Sequence, residues 1–550
     1  MAQRTSNFVS AAKGSMLAAI CTLLPLAGCV YVGPDFEPPD PLLPSVSFIG
    51  KPGPPAVANH TRAVSAKVDA SPVDPTWWTA FRDPILTSLA RRVAAANLDV
   101  NSATLKLAES RSQLGVVASA ALPAINGNAS YQRELFSQNG LVSLGNQFAP
   151  PGTSFVVPPF SIYQVGFDAS WELDLWGHVR RQIEAAGAQA EAAEIDRRGV
   201  LVSTLAELAR DYIQLRGVQA QIAITKENLN TANDILQLTK TRAARGVTTQ
   251  LDVENAAAEA ASIRAQLPDL ENQESMEINA LSLLLDEPPG SLRSELAQAK
   301  PIPPAPPRVP LGIASELARR RPDIREAEAQ LHAATADIGV AVADFYPSVK
   351  LNGTNVEFNA LDLKDLWKGS SLQYVLGPSL SIPIFEGGRL KSTLQLREIQ
   401  QQEAAITYHK TVLQAWHEVV NALVAYRTEQ QRRARLKDQV DHSRRALALS
   451  RARYNTGVID FITVLDAERT LLQAELQYAQ STTNVSTNVV QLYKALGGGW
   501  EQTFPEEPAT RAGPEEAESG GDSQAERIMI QNCLHQEICG SYPHARASTK

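Results

Sequence analysis

From Tyr163 onward the odd positions read Tyr163, Val165, Phe167, Ala169, Trp171, Leu173 and Leu175, and the even ones Gln164, Gly166, Asp168, Ser170, Glu172 and Asp174. A period of two, with one apolar face and one polar, acidic face, predicts a β-strand between two unlike environments. Ile125, Ala129, Tyr131 and Leu135 alternate with Asn126, Asn128, Ser130 and Gln132 in the same way, and weaker alternation marks Tyr346 to Asn355 and Tyr374 to Ile384. Four strands of about 11 residues, paired as two hairpins, are the expectation, and that length suits a membrane-crossing strand. Beyond each hairpin the period becomes helical. Ala-, Leu-, Gln- and Glu-rich stretches from Trp176 to Arg245 and from Gly387 to Thr456 each run 70 residues without proline. As continuous helix each would measure roughly 105 Å. Each meets a Gly-Val turn, Gly246-Val247 or Gly457-Val458, and a second helical run follows, 251 to 285 or 462 to 496. Pro268 is expected to interrupt and kink the first of these returning helices.

The two halves say the same thing. Asp99, Ala103, Leu107, Gly115 and Pro123 recur 224 positions later as Asp323, Ala327, Leu331, Gly339 and Pro347. Tyr163, Gly177, Glu207, Arg216, Arg242 and Gly246 recur 211 positions later as Tyr374, Gly388, Glu418, Arg427, Arg453 and Gly457. An internal duplication follows, with a loop 13 residues longer in the first copy, between Pro123 and Tyr163. The organisation reads as a signal segment at 1–28, a Pro-rich arm at 29–75, a first repeat at 76–290, a Pro-rich linker at 291–318, a second repeat at 319–496 and a Gly-, Glu- and Ser-rich tail at 497–550 expected to be largely disordered.

Composition bears on location. Arg4 and Lys13 precede an apolar run from Met16 to Leu26 that closes on Leu26-Ala27-Gly28-Cys29. This resembles a bacterial lipobox, which implies an exported chain lipidated at Cys29 and tethered to a membrane. No apolar run of about 18 residues follows, so strands must make any membrane crossing. An open four-stranded sheet leaves unpaired edges that lipid does not tolerate, and closure takes at least about eight strands, so the chain is expected to oligomerise. The net charge of −8, with both signs interspersed, gives no nucleic-acid signature. Cys533 and Cys539 could close a small disulfide or be an unimportant tail pair. His417-Glu418 lacks the second histidine of a helical zinc site, and no phosphate loop or nucleophile elbow appears. The expectation is a non-enzyme without metal or cofactor, apart from a covalent lipid on Cys29. Asp168, Glu172 and Asp174 are expected to line the polar interior of a barrel.

Trp77-Trp78-Thr79-Ala80-Phe81-Arg82-Asp83-Pro84, Ser170-Trp171-Glu172-Leu173-Asp174-Leu175-Trp176-Gly177, Arg319-Arg320-Arg321-Pro322-Asp323-Ile324-Arg325 and the turn from Tyr454 to Arg469 together resemble the outer-membrane efflux proteins. These are the TolC-like outer membrane factors, and the NodT-type lipoproteins of RND pumps in particular. The resemblance implies a mainly α fold with transmembrane β, a homotrimer in which a 12-stranded barrel continues into a 12-helix periplasmic tunnel. It implies a passive exit duct working with a periplasmic adaptor and an inner-membrane pump. On matching positions it implies a gate at the periplasmic end, with Ile462 as the apolar constriction, Asp466 as an aspartate ring, and Arg469, Tyr454 and Asp252 as ties between hairpins. The turns at Gly246, Val247, Gly457 and Val458 are then where the adaptor docks. Two other readings stay open: a non-pore coiled-coil spacer lipoprotein, and a type I secretion duct.

Overall fold

The computed structural model describes residues 31–40, 67–69, 74–140, 142–143, 148, 150, 152, 156–306, 308–310 and 317–505. Cys29, Cys533, Cys539 and most of the Pro-rich arm and the tail lie outside these. Tertiary contacts group Met1–Thr503 into one unit, and the description concerns that unit.

In chain order, a short strand β1 (Lys67–Asp69) precedes a 3-10 turn at Trp77–Phe81 and helices α1 (Pro84–Ala96) and α2 (Leu98–Ala118). Strands β2 (Ala124–Glu134) and β3 (Phe160–Leu173) lead into α3 (His178–Ala244) and α4 (Gln250–Leu284). After the linker strand β4 (Arg308–Pro310) come α5 (Pro322–Ala343), β5 (Ser348–Ala360), β6 (Leu372–Ser381), α6 (Arg389–Asn455) and α7 (Phe461–Leu496). Both long helices, α3 and α6, have 67 residues, and α6 begins 211 positions after α3. The segment joining β2 to β3, 135–159, is longer than its counterpart, 361–371, as the change of offset requires.

The expected strands form one antiparallel sheet in the order β2-β3-β5-β6, so the two hairpins are joined through β3 and β5. One face carries a polar ladder: the Asn126 and Asn128 amides donate to Asp168, Ser130 to Gln164 at 2.9 Å, and Asn352 to Ser379 at 2.8 Å. The other face carries apolar pairs such as Tyr131 against Tyr163, with ring centroids 5.0 Å apart. A second, two-stranded sheet has no counterpart in the sequence expectations: β1 pairs in parallel with β4, joining the Pro-rich arm to the Pro-rich linker.

Pro268 does not end its helix; α4 runs through it. Proline removes one N–H and one carbonyl partner; the buried positions of α4 lie on either side of it, up to Ile263 and from Ile278 onward.

The helices form columns. The α2 N-cap residue, Asn97, donates from its side chain to Leu284 O at 2.9 Å, seating α2 on the end of α4. The duplicate of Asn97, Arg321, occupies the N-cap position of α5 without a side-chain capping bond and donates to Ala495 O at 2.8 Å, seating α5 on the end of α7. Side by side the columns run α2/α4, α3, α5/α7, α6. Both layers therefore have matching open edges, β2 with α2/α4 on one side and β6 with α6 on the other. On the outer face of α3, Tyr212 donates to Asp83, the N-cap of α1, at 2.8 Å. Beside it Trp77 stacks on Tyr493 at 5.2 Å.

Candidate functional site

Both long helices stop in the same way. Gly246 (φ 72°) and Gly457 (φ 77°) are left-handed. Gly246 N–H donates to Ala243 O at 2.9 Å and Val247 N–H to Arg242 O at 3.0 Å; Gly457 and Val458 repeat this with Tyr454 O and Arg453 O, each at 3.0 Å. These bonds form a Schellman cap, which normally adds an apolar contact from the residue after the glycine. Here the helix residue it would meet is Arg242 or Arg453, and Val247 and Val458 remain 61% and 69% exposed.

The returning helices start with the same residue types in two orders, Thr249…Asp252 in the first copy and Asp460…Thr463 in the second, but Asp460, the N-cap of α7, makes no side-chain capping bond. Thr249 and Asp252 form a reciprocal capping box. The Asp252 carboxylate accepts from Thr248 Oγ1 at 2.5 Å and from Thr249 N at 3.1 Å, and these bonds, Thr248's above all, hold it below the usual carboxylate range. Asp252 is thus engaged in its own helix start.

The ties between hairpins are made elsewhere. The Arg242 guanidinium lies 4.4 Å from the Tyr454 ring centroid and donates to Tyr454 O at 3.3 Å, joining α3 to α6. Arg469 Nε donates to Glu259 Oε2 at 2.6 Å, joining α7 to α4. Tyr454 and Arg469 thus each join two helices of one chain; of their partners, Arg242 is the duplicate of Arg453. Next to Arg469, Glu468 is fully buried and neither of its oxygens has a hydrogen-bond partner. Burial pushes its carboxyl up to about 7; Arg451 opposes the shift and Glu259 adds to it. Ile462, 50% exposed, and Asp466, also exposed, sit four residues apart on one helix face.

A groove of about 1000 Å³ crosses the columns from α2 to α6, lined by Asp99, Asp196, Glu207, Asp323, Glu326 and Glu418 against Lys106, Arg321 and Lys494. Only a concave face can touch both edge columns at once. Its α3 residues, Asp196 and Glu207, lie about 140 to 160° around the helix from Tyr212, so the groove faces away from α1. Burial, reinforced by Asp196 and Asp323, raises the Glu326 carboxyl. Periodicity could not reveal this wall, because carboxylates scattered along a helix look the same on either face.

The three strand acids differ. Asp168 is in the polar ladder. Glu172 lies 3.3 Å from Lys350 Nζ and 3.7 Å from His178 Nδ1. Asp174 falls one residue beyond β3 and accepts from Arg180 N and Nε at 2.9 and 3.1 Å, which makes it a helix-start cap rather than a strand residue.

Residues 89–286 and 313–498 match the profile of the family described as outer membrane efflux protein. The chain belongs to this family. Among relatives of this outer membrane efflux protein, the solvent efflux pump outer membrane protein SrpC of Pseudomonas putida is 31% identical over 421 residues, 76% of this chain and 86% of SrpC. The probable outer membrane lipoprotein SilC of Salmonella typhimurium is 29% identical over 486 residues, 88% of this chain and 98% of SilC. Of solved structures, the outer-membrane channel OprN superposes with a TM-score of 0.75 at 34% identity, covering 86% of this chain and 99% of OprN. The Neisseria gonorrhoeae MtrE channel in its open state gives 0.70 at 27% identity, covering 86% and 98%. The efflux protein is accordingly an outer-membrane channel with a TolC-like fold, and its function is export across that membrane.

Proposed function

We propose that three copies close head to tail into a 12-stranded barrel on a 12-helix tunnel, anchored by lipid on Cys29. This is the exit duct through which a periplasmic adaptor and an RND pump expel small organic molecules. The observation that carries the ring is what α6 leaves exposed. Ile406 is 70% exposed and Val424 54%, whereas their duplicates in α3, Ile195 and Ile213, are 2% and 0% exposed. On the opposite edge Leu105 is 71% exposed, and its duplicate Ala329 packs on Ile195. Applying the chain's own internal packing once more brings Ile406 of one copy onto Leu105 of the next. Nothing in a spacer lipoprotein would call for an amphipathic sheet with the same two open edges.

The carboxylate-rich groove then faces the tunnel, where it favours cationic cargo over anionic. The names of several relatives specify toluene, solvent or antibiotic efflux, which supports an organic cargo. The exposed Val247 and Val458 are the adaptor's foothold, and Ile462 and Asp466 the constriction. Asp466→Ala with Arg469→Ala should make the closed duct leak vancomycin; unchanged entry at equal expression would count against this gate. An in-cell cross-link beside Gly457 should capture an adaptor and a proton-driven pump. Capture of an ATP-driven transporter instead would move the reading to type I secretion.

A further inference from the structure

The half of the columns nearer the Gly-Val turns distributes its charge unevenly, and only part of it is paired within one chain: Glu259 with Arg469, Glu271 with Lys226 and Arg444 with Glu475. Between Tyr426 and Asn455, α6 has nine arginines and lysines against three carboxylates, a net +6. Over Gln250–Leu284, α4 has seven carboxylates against one arginine, a net −6. The columns between them are nearly balanced, −1 over α7 and +2 over Leu215–Ala244 of α3. Opposite charge is thus concentrated on the two edge helices, which α3 and α7 keep apart within one chain.

The duplication says which residues would meet. Within the chain α3 packs on α7, with Gln221 and Gln480 hydrogen-bonded at 3.0 Å and a Cβ on Gly217 falling 2.3 Å from Thr483 Oγ1. Moving α3 forward by 211 residues gives α6, and moving α7 back by 211 gives α4. Gln221 becomes Arg432 and Gln480 becomes Asp269; Gly217 and Thr483 become Thr428 and Asn272. A neutral amide pair inside the chain is an oppositely charged pair in its image. Asp269 is exposed and has no ion pair among the described residues. Arg432 is 53% exposed, with only Glu429 of its own helix at 3.4 Å.

We infer that the basic lower half of α6 docks on the acidic α4 of the next copy, with Arg432 opposite Asp269, and that this charged seam is the part of the ring built to separate. It rests on the ring reading above. The upper half of α6 is different in kind: Ile399, Ile406, Leu413 and Val420 recur every seven residues and are exposed, an apolar seam whose parting would expose its whole area to water. Exposed charge pairs exchange readily for water and salt. The lower seam can therefore open toward the tip while the upper one stays shut.

The test uses the purified full-length protein. Leu105→Cys with Ile406→Cys reports on the upper seam, and Asn272→Cys with Thr428→Cys on the lower. Both pairs should cross-link copies at low salt. Near 1 M salt, where the screening length is about 3 Å, lower-seam cross-linking should fall about fivefold with the upper unchanged. Arg432→Glu or Asp269→Arg alone should lower it similarly, and the two together should restore it. No upper cross-link would defeat the ring reading itself. An upper cross-link with a lower seam indifferent to salt and to charge reversal would overturn the inference alone.

Discussion

Glu468 gives the sharpest quantitative expectation. Its carboxyl titrates near 7 in the packed tip, against an ordinary value of 4.5, because burial disfavours the charged form. A raised pKa means the packed tip binds the proton more tightly than the opened one. Glu468 therefore costs the tip nothing below about pH 4.5, and its penalty grows as pH rises toward 7. A shift of this size corresponds to about 3 kcal/mol at pH 7 and above. Glu468→Gln preserves shape and cannot ionise, so it removes that penalty. The assay is amide hydrogen exchange over the tip, residues 455–470, with wild type and variant compared at the same pH. At pH 4.5 the two should exchange alike. At pH 8 the variant should be protected about a hundredfold more, the factor that about 3 kcal/mol confers on a local opening that hydrates Glu468. The charged groups facing Glu468 are Arg451, Glu259 and Arg469. A protection ratio identical at both pH values would show that Glu468 is not held neutral, and the reasoning would fail.

Other outcomes follow from single contacts. Gly33→Ala should detach the N-terminal arm, measured as faster proteolysis at residues 31–40, because the added Cβ would fall 2.5 Å from Gly339 Cα at a φ of +89°. Arg321→Ala should destabilise the fold by about 1 to 3 kcal/mol in thermal unfolding, since it removes the bonds of a nearly buried guanidinium to the more exposed Asp323 and Glu418 and to Ala495 O. Glu259→Gln should loosen the tip, read as increased conductance of the channel in planar bilayers; an unchanged conductance would dismiss the Arg469 tie.

Strands and long helices were legible because each has a strong period, sustained over about 11 and 70 residues, and because every element is written twice. Three-residue β1 and β4 were not, since alternation has no meaning over so short a span and their partner strand is some 240 positions away. At the tip the sequence gives residue types but not facing partners. Asp252 caps its own helix, because a T-x-x-D start satisfies its own backbone first. Glu468 reads as one more solvated carboxylate beside Arg469; only packing distinguishes it from Asp466, two residues away. Pro268 reads as a break, yet α4 continues through it. The duplication is what makes the exposed apolar positions of α6 informative, because their counterparts in α3 are buried.

The arm at residues 31–40 has a mechanical consequence. Arg181, 1% exposed in its side chain, holds Val32 O, Asp35 and Glu184, while Tyr31 lies under the same guanidinium, 4.0 Å from its ring centroid. Phe36 stacks on His332 at 4.4 Å. A pull transmitted along the chain from its N-terminal side therefore loads α3 and α5 through side-chain grips. The hydrogen bonds between strands bear none of it, so the arm is a strain relief that lets a tether be tugged without unzipping the sheet.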